Sequence, residues 1–519
     1  MNKLKTIGLA NVPFYIFLGL FIILILSVNA NAQNKQDYVW IFSNDTEATE
    51  GNEAYGFDFT KDQHLKSLQG LVPIEIAGLN ASICDKEGNL LMYSNGCKVI
   101  DKNHNIMPNG RNLNNGDYFE MIGDSCFNGY LGKQDIIILP DPGDENGYYV
   151  LHKPIIYFPN QDIDHRELRF SYVDLNLNDG NGQVTEKNVV ISDESELFYN
   201  YLTAIKHFNQ RDWWIINPIY GSNEYLIFLL DQNGFSIPQK QSIGPGFHWN
   251  ASGSGTAVFS PDGNSYAYFN KDDNLLLYDF DRSNGNLSNL KQLTLKTNGP
   301  IVGNLSTVEF SPNSRFLYIG VRDSLWQVDT QEEQLEDGVE LIDVWDGTQD
   351  PFATTFTLMA LAPNCKIYMA SGSSTNTYHV INSPNEKGKD CDFVQHGIKL
   401  PYTSSLGNMP NFPRFRVDDD EKCDPNIGSV FGETVFYRRD LSVFPNPVTD
   451  NLTIEIPDNK LGKLFVFDMK GQLVWQSESR LQDIKKVDLS FLEAGQYSVE
   501  FVPDNNTDHL IWTKQIVKF

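Results

Sequence analysis

Histidine and cysteine side chains would carry metal or acid–base chemistry in this 519-residue chain, and their spacing shows no pattern for either. No two of the nine histidines lie within four residues of each other, so the zinc-protease pattern H-E-x-x-H and its relatives are absent from the sequence. The six cysteines form no C-x-x-C pair, which excludes the spacing of zinc knuckles and thioredoxin motifs. We therefore predict no catalytic residue, no metal site and no cofactor. The histidines are His64, His104, His152, His165, His207, His248, His379, His396 and His509.

Two loops rich in Asp and Asn carry the oxygen ligands that calcium prefers, at residues 174–180 (DLNLNDG) and 279–285 (DFDRSNG). Each places glycine at the seventh position instead of the sixth, and neither has the glutamate that an EF-hand loop carries at position twelve. Each also follows a predicted strand, where an Asp-Gly or Asn-Gly pair makes a hairpin turn. We therefore interpret both loops as turns.

A glycine-rich stretch at residues 244–255 has the composition of a phosphate-binding loop but not its order. It lacks the Lys-Ser/Thr ending, and no helix is predicted after it. Ser254 has Ser252 and Thr256 where a nucleophile elbow needs glycines. A pair of carboxylates that hydrolyses glycosidic bonds remains an open alternative, because 67 acidic residues are spread along the chain.

Clustered aromatic side chains are the residues best suited to ligand contact. Residues 247–249 (FHW) lie in a loop between two repeats, and Trp213 and Trp214 begin a predicted strand. Aromatic faces bind carbohydrate or peptide, but large aromatic residues more often pack between elements of the fold. We therefore favour core packing for these side chains.

The charge balance excludes one class of partner. The chain has 40 basic and 67 acidic residues, a formal net charge of −27, and the acids are scattered. Binding to a phosphate backbone needs clustered cations, so we predict no nucleic-acid partner.

The cysteines fall into an early and a late group of three. If the chain is exported, they lie in an oxidising compartment where disulfides form, but the sequence does not choose among the connectivities. With three in each group, either a cysteine stays free or one bridge joins the groups. The cysteines are Cys84, Cys97, Cys126, Cys365, Cys391 and Cys423.

Internal repeats indicate the elements that must position these residues. Three segments align 51 residues apart, at residues 257–263 (AVFSPDG), 308–314 (VEFSPNS) and 359–365 (MALAPNC), and a fainter copy lies at 204–210. The clearest repeat predicts four short strands separated by turn residues, and such a unit of about 50 residues is typical of a propeller blade. These strands are predicted at residues 256–260, 265–269, 275–280 and 287–295.

The whole chain predicts an all-β fold: a β-propeller of about seven blades followed by a small C-terminal β-sandwich. The propeller is predicted over residues 33–416, with six and eight blades remaining open, and a linker over 417–440. We expect residues 38–43 to complete the last blade and so close the ring. The sandwich is predicted over 441–519, with Pro445 and Pro447 fixing an extended entry before its first strand.

The N-terminus has the three parts of a secretory signal peptide. A lysine-bearing start precedes an apolar stretch at residues 14–28, and small residues end at Ala32, which predicts a signal peptide over 1–32 cleaved before Gln33. The apolar stretch is shorter than the roughly 20 residues that a membrane span needs. We therefore expect an exported chain with no transmembrane span after cleavage.

The last module resembles the C-terminal sorting domain of the type IX (Por) secretion system of Bacteroidetes. The resemblance implies export to the periplasm, passage across the outer membrane by the type IX machinery as partner, and then release or attachment to the outer-membrane surface. It rests on an ordered pattern that includes Phe444, Pro445, Asn446, Pro447, Gly471, Gly495, Tyr497 and Lys514.

The middle of the chain resembles the WD-repeat-like and YVTN-type propellers of the same bacteria. The resemblance rests on the three repeated turns, on residues 81–96 and 103–110, and on a closing segment at 406–412. It implies a propeller fold, but no activity transfers with it.

These observations predict a secreted or cell-surface propeller that acts as a binding or scaffold module for a protein or carbohydrate ligand. One alternative is a secreted enzyme of the glycosidase or lyase class that uses the central pocket, and another is an adhesin. Converging Asp, Glu, His and Arg side chains at the pocket would favour an enzyme, whereas a smooth face rimmed by aromatic residues would favour binding.

Overall fold

The structure of the chain is a computed structural model, and its elements are almost all strands. It describes residues 34–44, 53–61, 65–68, 70–122, 126, 129–157, 163–164, 167–193, 197, 200–246, 255–270, 274–295, 306–405, 408–417, 422–427, 437–456, 461–468, 473–477, 481, 484–503 and 510–519. In the described part of the chain the helical elements are short: one α-helix, α1 (Asp117–Ile122), and 3₁₀ turns at Asn178–Gly180, Leu335–Gly338 and Gly388–Cys391.

The first three blades of a propeller come from the N-terminal part of the described chain. Blade 1 contains β1 (Val39–Asn44), β2 (Glu53–Asp58) and β3 (Leu65–Ser67). Blade 2 contains β4 (Ala81–Cys84), β5 (Leu90–Ser94), β6 (Lys98–Asp101) and β7 (Ile106–Arg111). Blade 3 contains β8 (Ile136–Pro140), β9 (Gly147–His152), β12 (Leu168–Asp174) and β13 (Gln183–Ser192), with a small hairpin of β10 (Ile156–Tyr157) and β11 (Ile163–Asp164) inserted.

Four more blades complete the ring. Blade 4 contains β14 (Thr203–Lys206), β15 (Trp213–Pro218), β16 (Glu224–Asp231), β17 (Gly234–Phe235) and β18 (Gln239–Ser242). Blade 5 contains β19 (Thr256–Phe259), β20 (Ser265–Asn270), β21 (Asn274–Asp281) and β22 (Asn286–Leu293). Blade 6 contains β23 (Ser306–Phe310), β24 (Phe316–Val321), β25 (Ser324–Asp329) and β26 (Val339–Val344). Blade 7 contains β27 (Leu358–Leu361), β28 (Ile367–Ala370), β29 (Thr377–Ile381) and β30 (Phe393–Lys399).

The 51-residue repeat also sets how neighbouring blades are joined. Thr256 Oγ1 accepts a hydrogen bond from Val308 N at 2.9 Å, and Thr307 Oγ1 accepts one from Met359 N at 3.1 Å. The two threonines are one repeat apart, and each satisfies a backbone N–H of the next innermost strand. The predicted all-β fold of about seven blades is therefore confirmed, with seven blade sheets in the described part of the chain.

The prediction that residues 38–43 complete the last blade is wrong, and the ring closes in another way. β1 pairs with β2 in its own sheet, and blade 7 takes all four strands from residues after β26. β1 also runs antiparallel to the innermost strand β4, because Asn80 Nδ2 donates to Ile41 O at 3.0 Å and Cys84 N donates to Gln36 O at 2.8 Å. β1 therefore has the direction of a second strand, which leaves the innermost place of blade 1 to another segment.

Residues 408–417 run past the inner side of β1 towards the axis after the chain leaves blade 7, without joining the sheet of blade 1. At one end, Asn408 Nδ2 donates to Ile76 O, which lies beside the end of β1. At the other end, Arg416 pairs with Asp37, just before β1 begins. The segment therefore runs opposite to β1, and the C-terminal side of the propeller closes the ring against its N-terminal blade.

A two-sheet sandwich forms the C-terminal module, as predicted. One sheet has the strand order β31-β38-β37-β34-β35 and the other has the order β32-β33-β36. Its core contains buried Leu452, Leu464, Phe501 and Ile516. The strands are β31 (Tyr437–Asp440), β32 (Ser442–Phe444), β33 (Asn451–Glu455), β34 (Gly462–Asp468), β35 (Leu473–Gln476), β36 (Ile484–Asp488), β37 (Gly495–Pro503) and β38 (Leu510–Lys518).

Parts of the range predicted as a linker, 417–440, belong to the two modules. Val417 is buried against blade 5, and Cys423 is disulfide-bonded to Cys365 of blade 7. At the other end, β31 pairs in parallel with the start of β38. A bridge between the modules within this range remains a prediction, because residues 428–436 lie outside the described part.

Candidate functional site

The propeller axis, where a central pocket was expected, is filled by residues 408–417. Asn411 ties three blades together from this segment. Its backbone N donates to Asn80 O at 2.9 Å, and its side-chain Nδ2 donates to Ile136 O at 2.9 Å and to Leu202 O at 3.1 Å. These carbonyls lie at the starts of the innermost strands of blades 2, 3 and 4, so the backbone and side chain of one residue together satisfy three carbonyl groups that face the axis.

Two arginines fix the remainder of the axial segment. Arg414 pairs with Glu309 of blade 6, and its Nε donates to Phe259 O of blade 5 at 2.7 Å. Arg416 Nη2 donates to Asp37 Oδ2 at 2.7 Å. Both carboxylates are buried, so these ion pairs are screened far less by salt than surface pairs are.

A cavity of about 50 Å³ remains on the axis beside this segment. Its charged lining consists of Lys133, Glu309 and Arg414, and the last two are paired with each other. Burial lowers the pKa of Lys133 to about 8. Pockets that hold sugars or cofactors are several hundred Å³ in volume, so this space accommodates a few water molecules.

Two buried histidines have structural partners. His152 contacts Asn114 Oδ1 at 2.6 Å and Ser171 Oγ at 3.0 Å, and His379 Nε2 donates to Thr354 O at 2.9 Å. Burial lowers the pKa of both imidazoles to about 3 and keeps them neutral. Within the described residues, no group of three or more His, Cys, Asp and Glu side chains is arranged to hold a metal ion.

A groove of about 510 Å³ opens where the innermost strands of blades 2–4 end. It is formed by the loops that join the first and second strands of these blades. Tyr148 and Trp213 lie at its base, and Trp213 Nε1 donates to Pro140 O at 3.1 Å. The charged residues that line it are Asp85, Lys86, Glu87, Asp141, Asp144, Glu145, Lys206 and Arg211.

The loops of the groove are held by their own aspartates. Asp85 Oδ1 accepts hydrogen bonds from the backbone N of Glu87 at 3.0 Å and of Asn89 at 2.8 Å. Asp141 accepts one from Gly143 N at 2.7 Å through Oδ1, and its Oδ2 accepts one from a tyrosine hydroxyl. These Asx turns preorganise the loops, so the groove has its form before a ligand enters.

The same face is covered on its other side by the chain itself. Val417 packs against the Gly263 turn of blade 5. Asp424 N donates to Pro363 O at 2.7 Å beside the Cys365–Cys423 disulfide. The face therefore has a covered half over blades 5 and 7 and an open half over blades 2–4.

Two of the aromatic residues singled out in the sequence, Trp213 and Trp214, are placed in the core, as favoured. Trp213 and Trp214 are 1% and 3% exposed, and Trp214 Nε1 donates to Arg282 O at 2.7 Å. Residues 247–249 lie outside the described part. The sequence does not predict the groove because the loops that form it come from three different blades, although each loop carries turn residues.

The calcium-like loops form turns, as interpreted. Asp174 Oδ1 accepts a hydrogen bond from Asn176 N at 2.8 Å, and Asp281 Oδ1 accepts one from Ser283 N at 2.8 Å. Asp279 Oδ2 accepts one from Asn289 Nδ2 at 2.7 Å. These carboxylates therefore bind groups of their own loops and strands.

The cysteines form one bridge in each group, and one buried thiol remains in each. Burial raises the pKa of both thiols, so they remain protonated. The bridges are Cys97–Cys126 and Cys365–Cys423, and the free cysteines are Cys84 and Cys391.

The sorting-domain motif at residues 444–447 binds the last strand of the chain. Asn446 Nδ2 donates to Gln515 O at 2.9 Å, and its Oδ1 accepts a hydrogen bond from Val517 N at 3.0 Å. Val448 N donates to Val517 O at 2.8 Å. Pro445 and Pro447 follow β32, whose last residue is Phe444, and do not precede the first strand as predicted, because residues 442–444 pair with β33.

The other predicted positions of this module are spread along its sheets. Gly495 begins β37, and the Tyr497 hydroxyl donates to Glu493 O at 3.0 Å. Lys514 lies in β38 opposite Val499. Gly471 and the predicted cleavage pair Ala32 and Gln33 lie outside the described residues.

Comparison with known proteins finds the same module at the end of the chain. Residues 442–518 match the family described as the secretion system C-terminal sorting domain. The search of curated proteins gives no match. Such a domain implies secretion or attachment to the cell surface. No helix in the described part of the chain has the length and apolar character that crossing a membrane requires.

Solved structures similar to the body of the chain are distant. A candidate 6-phosphogluconolactonase from Bacteroides uniformis has 12% identity and a TM-score of 0.42, covering 70% of this chain and 97% of that chain. A second candidate 6-phosphogluconolactonase, from Bacteroides fragilis, has 12% identity and a TM-score of 0.42, covering 70% and 95%. The β-propeller domain of Cps50 (Swd1) from Myceliophteria thermophila has 10% identity and a TM-score of 0.32, covering 64% and 96%.

The identity of the chain follows from its own sheets and from the matched family. Its described residues build seven propeller blades and then a two-sheet sandwich that coincides with the matched range. The protein is therefore a β-propeller that ends in a type IX secretion system C-terminal sorting domain.

Proposed function

We propose that this protein is a secreted or cell-surface binding protein whose propeller takes a polar ligand in the groove over blades 2–4. One observation carries the proposal: the axis is filled by residues 408–417, whereas the groove of about 510 Å³ is open. A cleft of several hundred Å³ with converging polar groups is the usual form of a ligand site.

The lining of the groove supports a ligand with many polar groups. Five carboxylates and three cationic side chains surround it, together with the side-chain amides of Gln36, Asn146 and Gln210. Such a mixture offers both donors and acceptors, which suits the hydroxyl groups of a carbohydrate or the backbone and charged side chains of a peptide.

Export supports the same function, because it places the propeller outside the cell. We infer that cleavage between Ala32 and Gln33 removes residues 1–32 and that the chain passes through the periplasm. The sorting domain at 441–519 then engages the type IX machinery, which delivers the propeller to the outer-membrane surface or the medium. N-terminal sequencing of the secreted protein should begin at Gln33, and a start at Met1 would contradict the inferred cleavage.

Binding at the groove is tested with the mature protein on arrays of bacterial and plant polysaccharides and of peptides. The double variant Glu87→Lys/Glu145→Lys reverses two exposed charges of the groove and should weaken binding to any hit by about tenfold or more. The matched control Glu333→Lys/Glu336→Lys makes the same charge change on exposed residues of blade 6 and should retain binding. Equal binding by both variants would exclude the groove as the site.

A further inference from the structure

We propose that the Cys365–Cys423 disulfide is a redox latch that holds residues 408–417 on the propeller axis. The ring then closes fully only in an oxidising compartment. This inference concerns how the propeller reaches its final form and does not depend on what the groove binds.

The axial segment lacks the backbone ladder that holds the strands of the blades. It adds no strand to any sheet in the described chain, and its backbone makes isolated contacts: Asn411 N donates to Asn80 O, and Arg414 forms a single parallel bridge with Ile205 in which Arg414 N donates to Ala204 O at 3.1 Å. Most of its other polar contacts come from side chains. Ordering such a segment costs conformational entropy, and few backbone hydrogen bonds offset that cost.

The disulfide lies where it restrains this segment directly. Residue 417 leaves the axis, and Cys423 follows six positions later, bonded to Cys365 in the first turn of blade 7. Arg416 Nε donates to Lys422 O at 2.7 Å, and Asp424 N donates to Pro363 O at 2.7 Å, so the polypeptide on both sides of Cys423 is fixed as well. The bridge therefore tethers the exit of the axial segment to the ring that it closes.

Formation of the latch is a thiol–disulfide exchange. A thiolate of one cysteine attacks the disulfide of an oxidant, either a protein or a small-molecule disulfide, and forms a mixed disulfide. The second cysteine displaces the remaining oxidant thiol, so two protein thiols lose two protons and two electrons while the oxidant becomes two thiols. Both cysteines remain thiols in a reducing cytoplasm and are oxidised after export.

The second disulfide provides a control within the same protein. Cys97–Cys126 joins blade 2 to the connection before blade 3, and neither residue touches the axial segment through a described hydrogen bond. Removing it should lower stability without selectively releasing residues 408–417.

The test is hydrogen exchange of the full mature protein, read at the amides of Asn411 and Arg414. In Cys365→Ser/Cys423→Ser these amides should exchange at least about tenfold faster than in the wild type, whereas in Cys97→Ser/Cys126→Ser they should remain within about twofold. Unchanged exchange in the first variant, or equal acceleration in both, would overturn the proposal.

A second measurement covers the case in which the latch variant does not fold. The Cys97→Ser/Cys126→Ser protein retains one disulfide, so dithiothreitol under native conditions reduces the latch alone. Exchange at Asn411 and Arg414 should rise after reduction and return after reoxidation with oxidised glutathione. If protection is the same before and after reduction, the disulfide does not hold the axial segment.

Discussion

The propeller and the sorting domain are each completed by a segment from their C-terminal end, and the two segments are held in different ways. β38 of the sorting domain pairs with β37 along residues 512–518 and with β31 at its start, so backbone ladders hold it. The axial segment of the propeller is held by the side chains of Asn408, Asn411, Arg414 and Arg416. One closure depends on a repeated backbone pattern and the other on a few particular residues.

This difference determines how each closure responds to change. A ladder distributes its stabilisation over many equivalent bonds, so a single side chain matters mainly through its share of the core. A segment held by side chains concentrates its stabilisation at a few positions, where losing one partner leaves a buried group unsatisfied. We therefore expect single substitutions to be more damaging on the axis than in the terminal strand.

The strongest test of the ladder closure is to delete residues 514–519. The deletion removes more than half of β38, takes away the hydrogen-bond partners of Val448 and Asn446, and takes buried Ile516 out of a small core. We expect the sorting domain to unfold and the secreted fraction to fall more than about tenfold, while the propeller keeps its protease resistance. Cell fractionation and limited proteolysis measure the two outcomes.

Gln515→Thr is the matched control for this deletion, because Gln515 is exposed and bonds through its backbone carbonyl. It should be secreted like the wild type. Undiminished secretion of the deletion protein would refute the sorting role, and a protease-sensitive propeller would refute the independence of the two modules.

The side-chain closure is tested next by Arg414→Ala. The substitution leaves the buried carboxylate of Glu309 without its cation, and we expect the propeller to lose about 3 kcal/mol of unfolding free energy. Arg322→Ala removes an arginine from an exposed pair with Asp323 and should cost less than about 1 kcal/mol. Denaturant unfolding of both variants measures the two losses of unfolding free energy. Equal losses would show that the buried Arg414–Glu309 pair stabilises the propeller no more than an exposed pair does.

The same difference explains how much of the fold the sequence predicts. The strands at residues 256–260 and 265–269 were predicted almost to their bounds, because alternation and turn residues are local signals. The same local signals predict a strand over residues 511–517, and β38 is found at Leu510–Lys518. The resemblance indicated a closing segment at 406–412, but its course along the axis was not predicted, since contacts made by scattered Asn and Arg side chains leave no periodicity in the sequence.

The groove could be predicted only in its parts. The turns at residues 85–89, 141–147 and 209–212 carry recognisable Asp, Asn and Gly patterns. Their meeting in one groove depends on the order of blades 2–4 around the ring, which is a long-range property. Strand β32 was also missed, because residues 442–444 are a short edge strand followed by two prolines.

Acid should lower the unfolding free energy of the propeller more than that of the sorting domain, because the propeller contains two buried histidines. Burial lowers the pKa of His152 and His379 to about 3, so the unfolded chain binds protons below about pH 6.5 that the folded propeller does not bind. The free energy of unfolding should therefore fall as the pH drops from 6.5 towards 3. Between pH 7 and pH 5 we expect a loss of about 2 kcal/mol for each histidine.

The measurement is denaturant unfolding of the propeller at several pH values. His152→Gln and His379→Gln should each reduce the slope against pH, whatever they do to stability at pH 7. The sorting domain has a single histidine, His509, outside the described residues, and its transition should change less over the same range. A propeller slope that both substitutions leave unchanged would refute the assignment.

The smallest expected effect is that of Asn446→Ala in the sorting domain. The substitution removes the two hydrogen bonds to Gln515 O and Val517 N, but Asn446 is exposed and water can replace its amide. We expect the sorting domain to lose about 1 kcal/mol. Thermal unfolding of the full mature protein, followed separately for its two transitions, measures this loss.

Asn411→Ala makes the same substitution on the propeller axis and completes the comparison. Asn411 is 7% exposed, and its amide satisfies two buried carbonyls, of Ile136 and Leu202, that water reaches poorly. Its loss should cost about 2 to 3 kcal/mol, more than that of Asn446, because both acceptors are left unpaired inside the ring. If the two substitutions cost the same, burial does not distinguish the two closures, and the Asn411 side chain is not what makes the axial segment sensitive to substitution.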